Sequence, residues 1–107
     1  MTSSTGLSGS RIRHTVAFAL HHDDGSPEEA SFLTALTALR SIEGVEAFEV
    51  VREVSAKNNY RWGVSMEFAD QSAYDGYNDD PQHVGFVRDR WVSEVADFLE
   101  VDFASLG

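Results

Sequence analysis

The sequence predicts an α+β domain of the ferredoxin-like type, with elements in the order βαββαβ. Three observations carry this. Residues 11–20 and 60–69 alternate bulky apolar side chains with small or polar ones, the period of a strand. Between them a capped helical pattern is followed by another alternating run, so the two middle strands read as a hairpin. After the hairpin, helical spacing returns before a short β-compatible end.

Taken in order, residues 1–10 are rich in Ser, Thr and Gly. They are expected as a disordered tail ahead of one folded domain, residues 11–107. In the first strand Ile12, His14, Val16, Phe18 and Leu20 share one face, and Arg13, Thr15, Ala17 and Ala19 the other. A polar loop, His21-His22-Asp23-Asp24-Gly25, precedes a helix start. Ser26 suits the cap, Pro27 the first helical position, and Glu29 completes a capping box. Phe32, Leu33, Leu36, Leu39 and Ile42 follow at helical spacing, and Gly44 suits the stop, so a helix is expected over 27–42.

Residues 45–55 form the second strand, with Phe48, Val50 and Val54 sharing a face with Glu46 and Arg52. A turn at 57–59 leads into the third, where Tyr60, Trp62, Val64, Met66 and Phe68 line one face. Asp70 caps a short helix reaching about residue 78, and Pro81 breaks it. From His83 a longer helix is expected, with Val84, Val87, Trp91, Val95 and Phe98 on one stripe. A helical wheel puts His83 about 80° from the stripe's centre, at its border. Residues 100–103 suit a short last strand.

In this fold the helices cover one face of a four-stranded antiparallel sheet. The other face carries Ala17, Ala19, Ala47, Val51, Gly63 and Ser65. Such small side chains let a second sheet approach, which predicts a two-fold homodimer.

The composition excludes several classes of function. The chain has 107 residues, enough for one compact domain. With 42% hydrophobic and 11% aromatic residues it is an ordinary globular chain. It has no cysteine, so disulfides and thiolate metal sites are excluded, and a reducing, cytoplasmic setting is expected. No apolar run is long enough to span a membrane, and the N-terminus lacks a secretory pattern. Acidic residues number 18 against 8 Lys and Arg, for a net charge of −10. That balance opposes binding to nucleic-acid phosphates or to anionic lipid, so neither partner is expected.

The chemistry concentrates in one stretch, Tyr77-Asn78-Asp79-Asp80-Pro81-Gln82-His83-Val84-Gly85-Phe86. His83 is the natural proton carrier near neutrality, and the hydroxyl of Tyr77 suits a carbonyl or enolate oxygen. His14 lies on the apolar face of the first strand, which in this fold meets the helices. His14 and His83 are thereby expected to share one cavity. Trp62, Phe86, Val87 and Trp91 are core candidates and the expected apolar lining of a substrate site. His21-His22-Asp23-Asp24 reads as a solvated turn, and Asp79 and Asp80 as a helix-end cap or turn, so no metal is expected. No phosphate loop, nucleophile elbow or dinucleotide fingerprint appears, and no cofactor is expected.

Three pieces resemble a known family, the stress-responsive α/β-barrel (Dabb) proteins. Ile12-Arg13-His14-Thr15-Val16-Ala17-Phe18 is like the family's first strand with its early His. Tyr77 to Phe86 is like its Tyr-x-x-His-Pro-x-His and small apolar run, with the spacing of six from Tyr77 to His83 kept. Val101-Asp102-Phe103 is like the Val/Phe-Asp-Tyr of its last strand. The resemblance implies a dimeric α+β barrel of two ferredoxin-like units. A plant member is a polyketide cyclase that closes a poly-β-keto thioester by an aldol condensation without metal or organic cofactor. By that resemblance His83, Tyr77 and His14 are the working groups. Asp80 stands where the family has the first His of its His-Pro-x-His, and Phe103 where it has Tyr. An acidic neighbour at Asp80 is expected to favour protonated His83. Two functions follow: a cofactor-independent cyclase or proton-transfer enzyme acting on a small carbonyl compound, and a non-catalytic stress-response dimer or ligand-binding module.

Overall fold

The computed structural model of the chain describes residues 6–107. Its first strand, β1 (Ile12–Leu20), lies inside a four-stranded antiparallel sheet of order β2-β3-β1-β4. The partners are β2 (Glu46–Arg52), β3 (Trp62–Phe68) and β4 (Val95–Ala104). Helix α1 (Pro27–Thr37) and a 3₁₀ turn, Ala38–Ser41, connect β1 to β2. Helix α2 (Gln71–Asp79), helix α3 (Pro81–Phe86), a π-helical turn (Val87–Trp91) and a last turn, α4 (Val92–Glu94), connect β3 to β4. This is the ferredoxin-like arrangement expected from the alternation.

Local chemistry sets the ends of these elements. The Ser26 hydroxyl accepts from the Glu29 backbone N–H at 3.1 Å, the cap read from the sequence. The Glu29 carboxylate closes the loop one residue earlier than a capping box would, accepting from the Gly25 N–H at 3.0 Å. Asp70 caps α2 through the Ala73 N–H at 2.8 Å. Asp80 caps α3 through the Gln82 N–H at 2.8 Å, with Pro81 at the first helical position. Gly44 turns the chain toward β2 at φ +89°, a conformation open to a residue without Cβ.

Two expectations need correction. The helical stripe does not run on through Val95 and Phe98. Both lie in β4, which is ten residues long rather than four. Val95 already has extended backbone angles, and β1 offers an open edge that β4 fills from Ile12↔Ala104 to Leu20↔Val95. Ladder hydrogen bonds with β1 outweigh the local helical preference, and the register shift between Ala19 and Leu20 lets Val95 and Phe98, three residues apart, both face the cavity. Residues 6–10 of the expected tail are also described, and the Ser10 hydroxyl donates to the Ala69 carbonyl at 2.7 Å. The rest of that segment lies outside the described residues.

The core sits between the sheet and the helices. Phe18, Phe32 and Phe68 are fully buried, and Leu36, Leu39, Met66 and Tyr77 nearly so. The sheet's other face carries Leu99, Val101, Phe103 and Val51 as exposed apolar side chains beside Ala17 and Gly63. Arg11 and Arg13 both pair with Glu67 at 3.2 Å.

Strand β2 carries an irregularity between Glu46 and Glu49, where Ala47 takes φ +49°. An L-residue with a Cβ is strained there. Ala47→Gly is therefore expected to raise stability by up to about 1 kcal/mol, because relief of the left-handed strain exceeds the extra chain entropy. Urea unfolding checks this; a lower midpoint for the variant would contradict it.

Candidate active site

Period two in β1 sends His14 and Val16 toward the helices, and the same period in β4 sends Phe98, Glu100 and Asp102 to that side. Helix α2 brings Tyr74 and Tyr77 down onto Phe68, whose ring lies 4.9 and 5.2 Å from theirs. The Asp80-Pro81 break turns the chain so that His83, one turn into α3, folds back over Tyr77. Their ring centroids are 4.2 Å apart. A cavity of about 510 Å³ opens between these elements. His14, Tyr77, His83, Asn78 and Glu100 supply its polar groups, and Phe86, Val87, Trp91 and Phe98 are among its apolar walls. That mix suits a small, partly apolar ligand.

The structure thus brings the three residues singled out by the sequence, His14, Tyr77 and His83, to one cavity. Phe86, Val87 and Trp91 line it too. Trp62 does not. It lies at the end of β3, under the Arg52 guanidinium at 4.6 Å, past the cavity wall. The His21-His22 loop is separate from the cavity, and His22 Nε2 pairs with Glu94 at 2.7 Å.

His83 Nδ1–H donates to the Asn78 carbonyl at 3.3 Å, which leaves Nε2 with its lone pair free. Burial lowers the imidazole's pKa below its ordinary 6.5, aided by the nearby His14; the Asn78 hydrogen bond and the charges of Asp80 and Glu100 oppose this and do not overcome it. Asp80 acts in the expected direction, favouring protonated His83, but its effect is outweighed. The Asp80 carboxylate is engaged in capping α3, and desolvation of the ring is the larger effect.

Tyr77 is 2% exposed and lines the cavity; its hydroxyl makes no hydrogen bond to the described residues and keeps some accessible surface there. Burial, with the charge of Glu100, pushes that hydroxyl well above its ordinary pKa, so it remains a donor at neutral pH. A hydroxyl that opens onto a cavity offers a donor to an acceptor on a ligand.

His14 belongs to a second group, and here sequence reasoning missed three residues. Its Nδ1–H donates to Asp102 Oδ1 at 2.7 Å. The Tyr74 hydroxyl lies 2.9 Å from that nitrogen, 2.8 Å from Asp102 Oδ2 and 3.0 Å from Glu100 Oε2. Burial drives the Tyr74 hydroxyl's pKa upward, and the two carboxylates add to it. Burial would raise the Asp102 carboxyl as well, but hydrogen bonds from His14 and Tyr74 hold it below the usual carboxylate range. The signal for Tyr74 was its place one helical turn before Tyr77. The signal for Glu100 and Asp102 was their shared parity in the last strand.

The family model of the stress-responsive A/B barrel domain matches residues 12–105. This chain belongs to that family. A Dabb protein of ferredoxin-like fold from Mesorhizobium loti is 55% identical, with 92% of this chain and all of that one covered and a TM-score of 0.89. A dimeric ferredoxin-like protein of unknown function from Thermobifida fusca is 23% identical over 98% of this chain and all of its own, with a TM-score of 0.72. The hydroxynitrile lyase of Passiflora edulis shares the fold at 8% identity, covering 88% of this chain and 92% of the lyase, with a TM-score of 0.77. No curated protein matches the chain. Among the described residues of this Dabb protein, no helix is long and apolar enough to cross a membrane.

Proposed function

We propose that this Dabb protein binds a small carbonyl compound in the cavity and moves a proton at the carbon beside the carbonyl. That is the opening step of an aldol cyclisation of the polyketide-cyclase kind. The observation that carries the reading is the Tyr77 hydroxyl, open to the cavity and without a protein partner, beside a His83 ring at 4.2 Å whose Nε2 lone pair is free. Tyr77 donates to the carbonyl oxygen and stabilises the enolate as charge develops there. His83 Nε2 takes the α-proton and returns it, with burial keeping the imidazole neutral. His14, held by Asp102, orients the far end of the cavity. The residues supply acid, base and oxyanion donor themselves. A distant fold relative named a hydroxynitrile lyase fits the idea that this architecture tolerates proton-transfer chemistry.

The test is deuterium exchange into the α-carbon of phenylacetone in D₂O, followed by proton NMR. Exchange faster than buffer alone, lost in Tyr77→Phe and His83→Gln, supports the reading. Exchange at the buffer rate leaves a non-catalytic binding module as the function, and faster exchange unchanged in both variants removes Tyr77 and His83 from the chemistry.

The protein further acts as a homodimer joined through the exposed sheet face, by this reading. Leu99, Val101, Phe103 and Val51 form an apolar patch there, and Gly63 keeps it shallow. Val101→Lys is expected to convert a dimer to a monomer in analytical ultracentrifugation while leaving the far-UV spectrum unchanged. A variant that sediments like the wild-type dimer would show that this patch does not join the subunits.

A further inference from the structure

The group at the cavity's end contains more acceptors than hydrogens. Three carboxylate oxygens, Asp102 Oδ1, Asp102 Oδ2 and Glu100 Oε2, face two donors. The hydrogen on His14 Nδ1 goes to Asp102 Oδ1. The Tyr74 hydroxyl has one hydrogen for two oxygens, at 2.8 and 3.0 Å. Glu100 Oε2 also lies 3.4 Å from His14 Nδ1, which has no second hydrogen there. One contact in the group is thus left without a hydrogen between its atoms. His14 and Tyr74 are more than nine-tenths buried, so water reaches their side of the group poorly.

We propose that His14, Glu100 and Asp102 form a binding site for a divalent transition-metal ion, with zinc the best fit. The three ligand atoms, one imidazole nitrogen and two carboxylate oxygens, lie within 4.8 Å of one another. Tetrahedral bonds of about 2.0–2.1 Å place neighbouring ligand atoms roughly 3.3–3.4 Å apart. His14 Nδ1 and Glu100 Oε2 are already at 3.4 Å. His14 Nδ1 and Asp102 Oδ1, at 2.7 Å, separate as the ion replaces the proton between them. The nitrogen donor and small ligand number select zinc or cobalt over magnesium and calcium, which take more oxygen ligands. The Tyr74 hydroxyl, 2.8 Å from Asp102 Oδ2, fixes the orientation of that ligand. Because His14 and Glu100 also line the cavity, the fourth position faces the ligand space. The site is independent of whether the cavity is catalytic.

The experiment is equilibrium dialysis of the untagged full chain against Zn²⁺, with visible spectroscopy of the Co²⁺-loaded protein. One equivalent of zinc per chain is expected, together with the intense visible absorption of four-coordinate cobalt. Glu100→Gln and Asp102→Asn should each weaken binding by at least about tenfold. His21→Ala tests the other His-rich segment and should change nothing. Glu100 is half-exposed, so its variant tests the site without threatening the fold. Failure to retain zinc, or binding lost with His21→Ala and kept in Glu100→Gln and Asp102→Asn, overturns the proposal. Ketone exchange by metal-free protein bears only on the catalytic reading, so the two ideas fail separately.

Discussion

His83→Gln is expected to reduce α-proton exchange of phenylacetone by about a hundredfold or more, because it removes the base and keeps a hydrogen-bonding side chain of similar reach. The fold should survive, since His83 borders the cavity and its one protein hydrogen bond, to Asn78, is a weak one at 3.3 Å. The pH profile gives an independent check. Burial depresses the His83 pKa below 6.5, so the neutral base persists into mild acid and exchange should fall with a midpoint below pH 6.5. NMR titration of the ring proton should give the same midpoint. The linkage to stability has a fixed sign. Between the depressed folded pKa and 6.5 the unfolded chain binds the proton more readily than the folded one. The stability contributed by neutral His83 is complete above pH 6.5 and declines as pH falls through that window. A midpoint above 6.5 would show that Asp80 and Glu100 prevail over desolvation.

Phe68→Ala should cost about 3–5 kcal/mol in denaturant unfolding, the range for removing a fully buried aromatic side chain. Phe68 has no exposed surface, and the rings of both Tyr74 and Tyr77 pack on it. The loss reaches the site as well as the core. Without that wall, the Tyr77 hydroxyl no longer has one position, and exchange by the folded fraction should fall too. Phe68→Leu keeps most of the volume and should cost less than about 2 kcal/mol. Equal losses for Ala and Leu would mean that aromatic stacking, rather than filled volume, holds the two tyrosines.

Much of this arrangement was legible in the residues. Alternation in β1 gave the face of His14, and the six-residue spacing from Tyr77 to His83 across Pro81 gave a helix break that folds one ring over the other. What escaped was governed by contacts between distant segments. The start of β4 depends on an open edge of β1, which local spacing does not register. The Tyr74–Glu100–Asp102 group is assembled from residues 26 and 28 positions apart, so no local pattern marks it. The Asp80 charge favours protonated His83, as its place in the sequence suggests, but desolvation of the imidazole, which no local pattern records, is the larger effect. Trp62 has the right parity for the cavity and the wrong position along the strand.

Strand β4 divides its residues between two tasks. Phe98, Glu100 and Asp102 face the helices, while Leu99, Val101 and Phe103 face outward. Its pairing with β1 already shifts once, between Ala19 and Leu20, before the strand reaches these residues. A slip of one residue beyond that point would exchange the two sets, sending the carboxylates outward and the apolar side chains into the cavity. Single substitutions along β4 therefore alter one surface at a time, whereas a one-residue insertion or deletion there inverts both together.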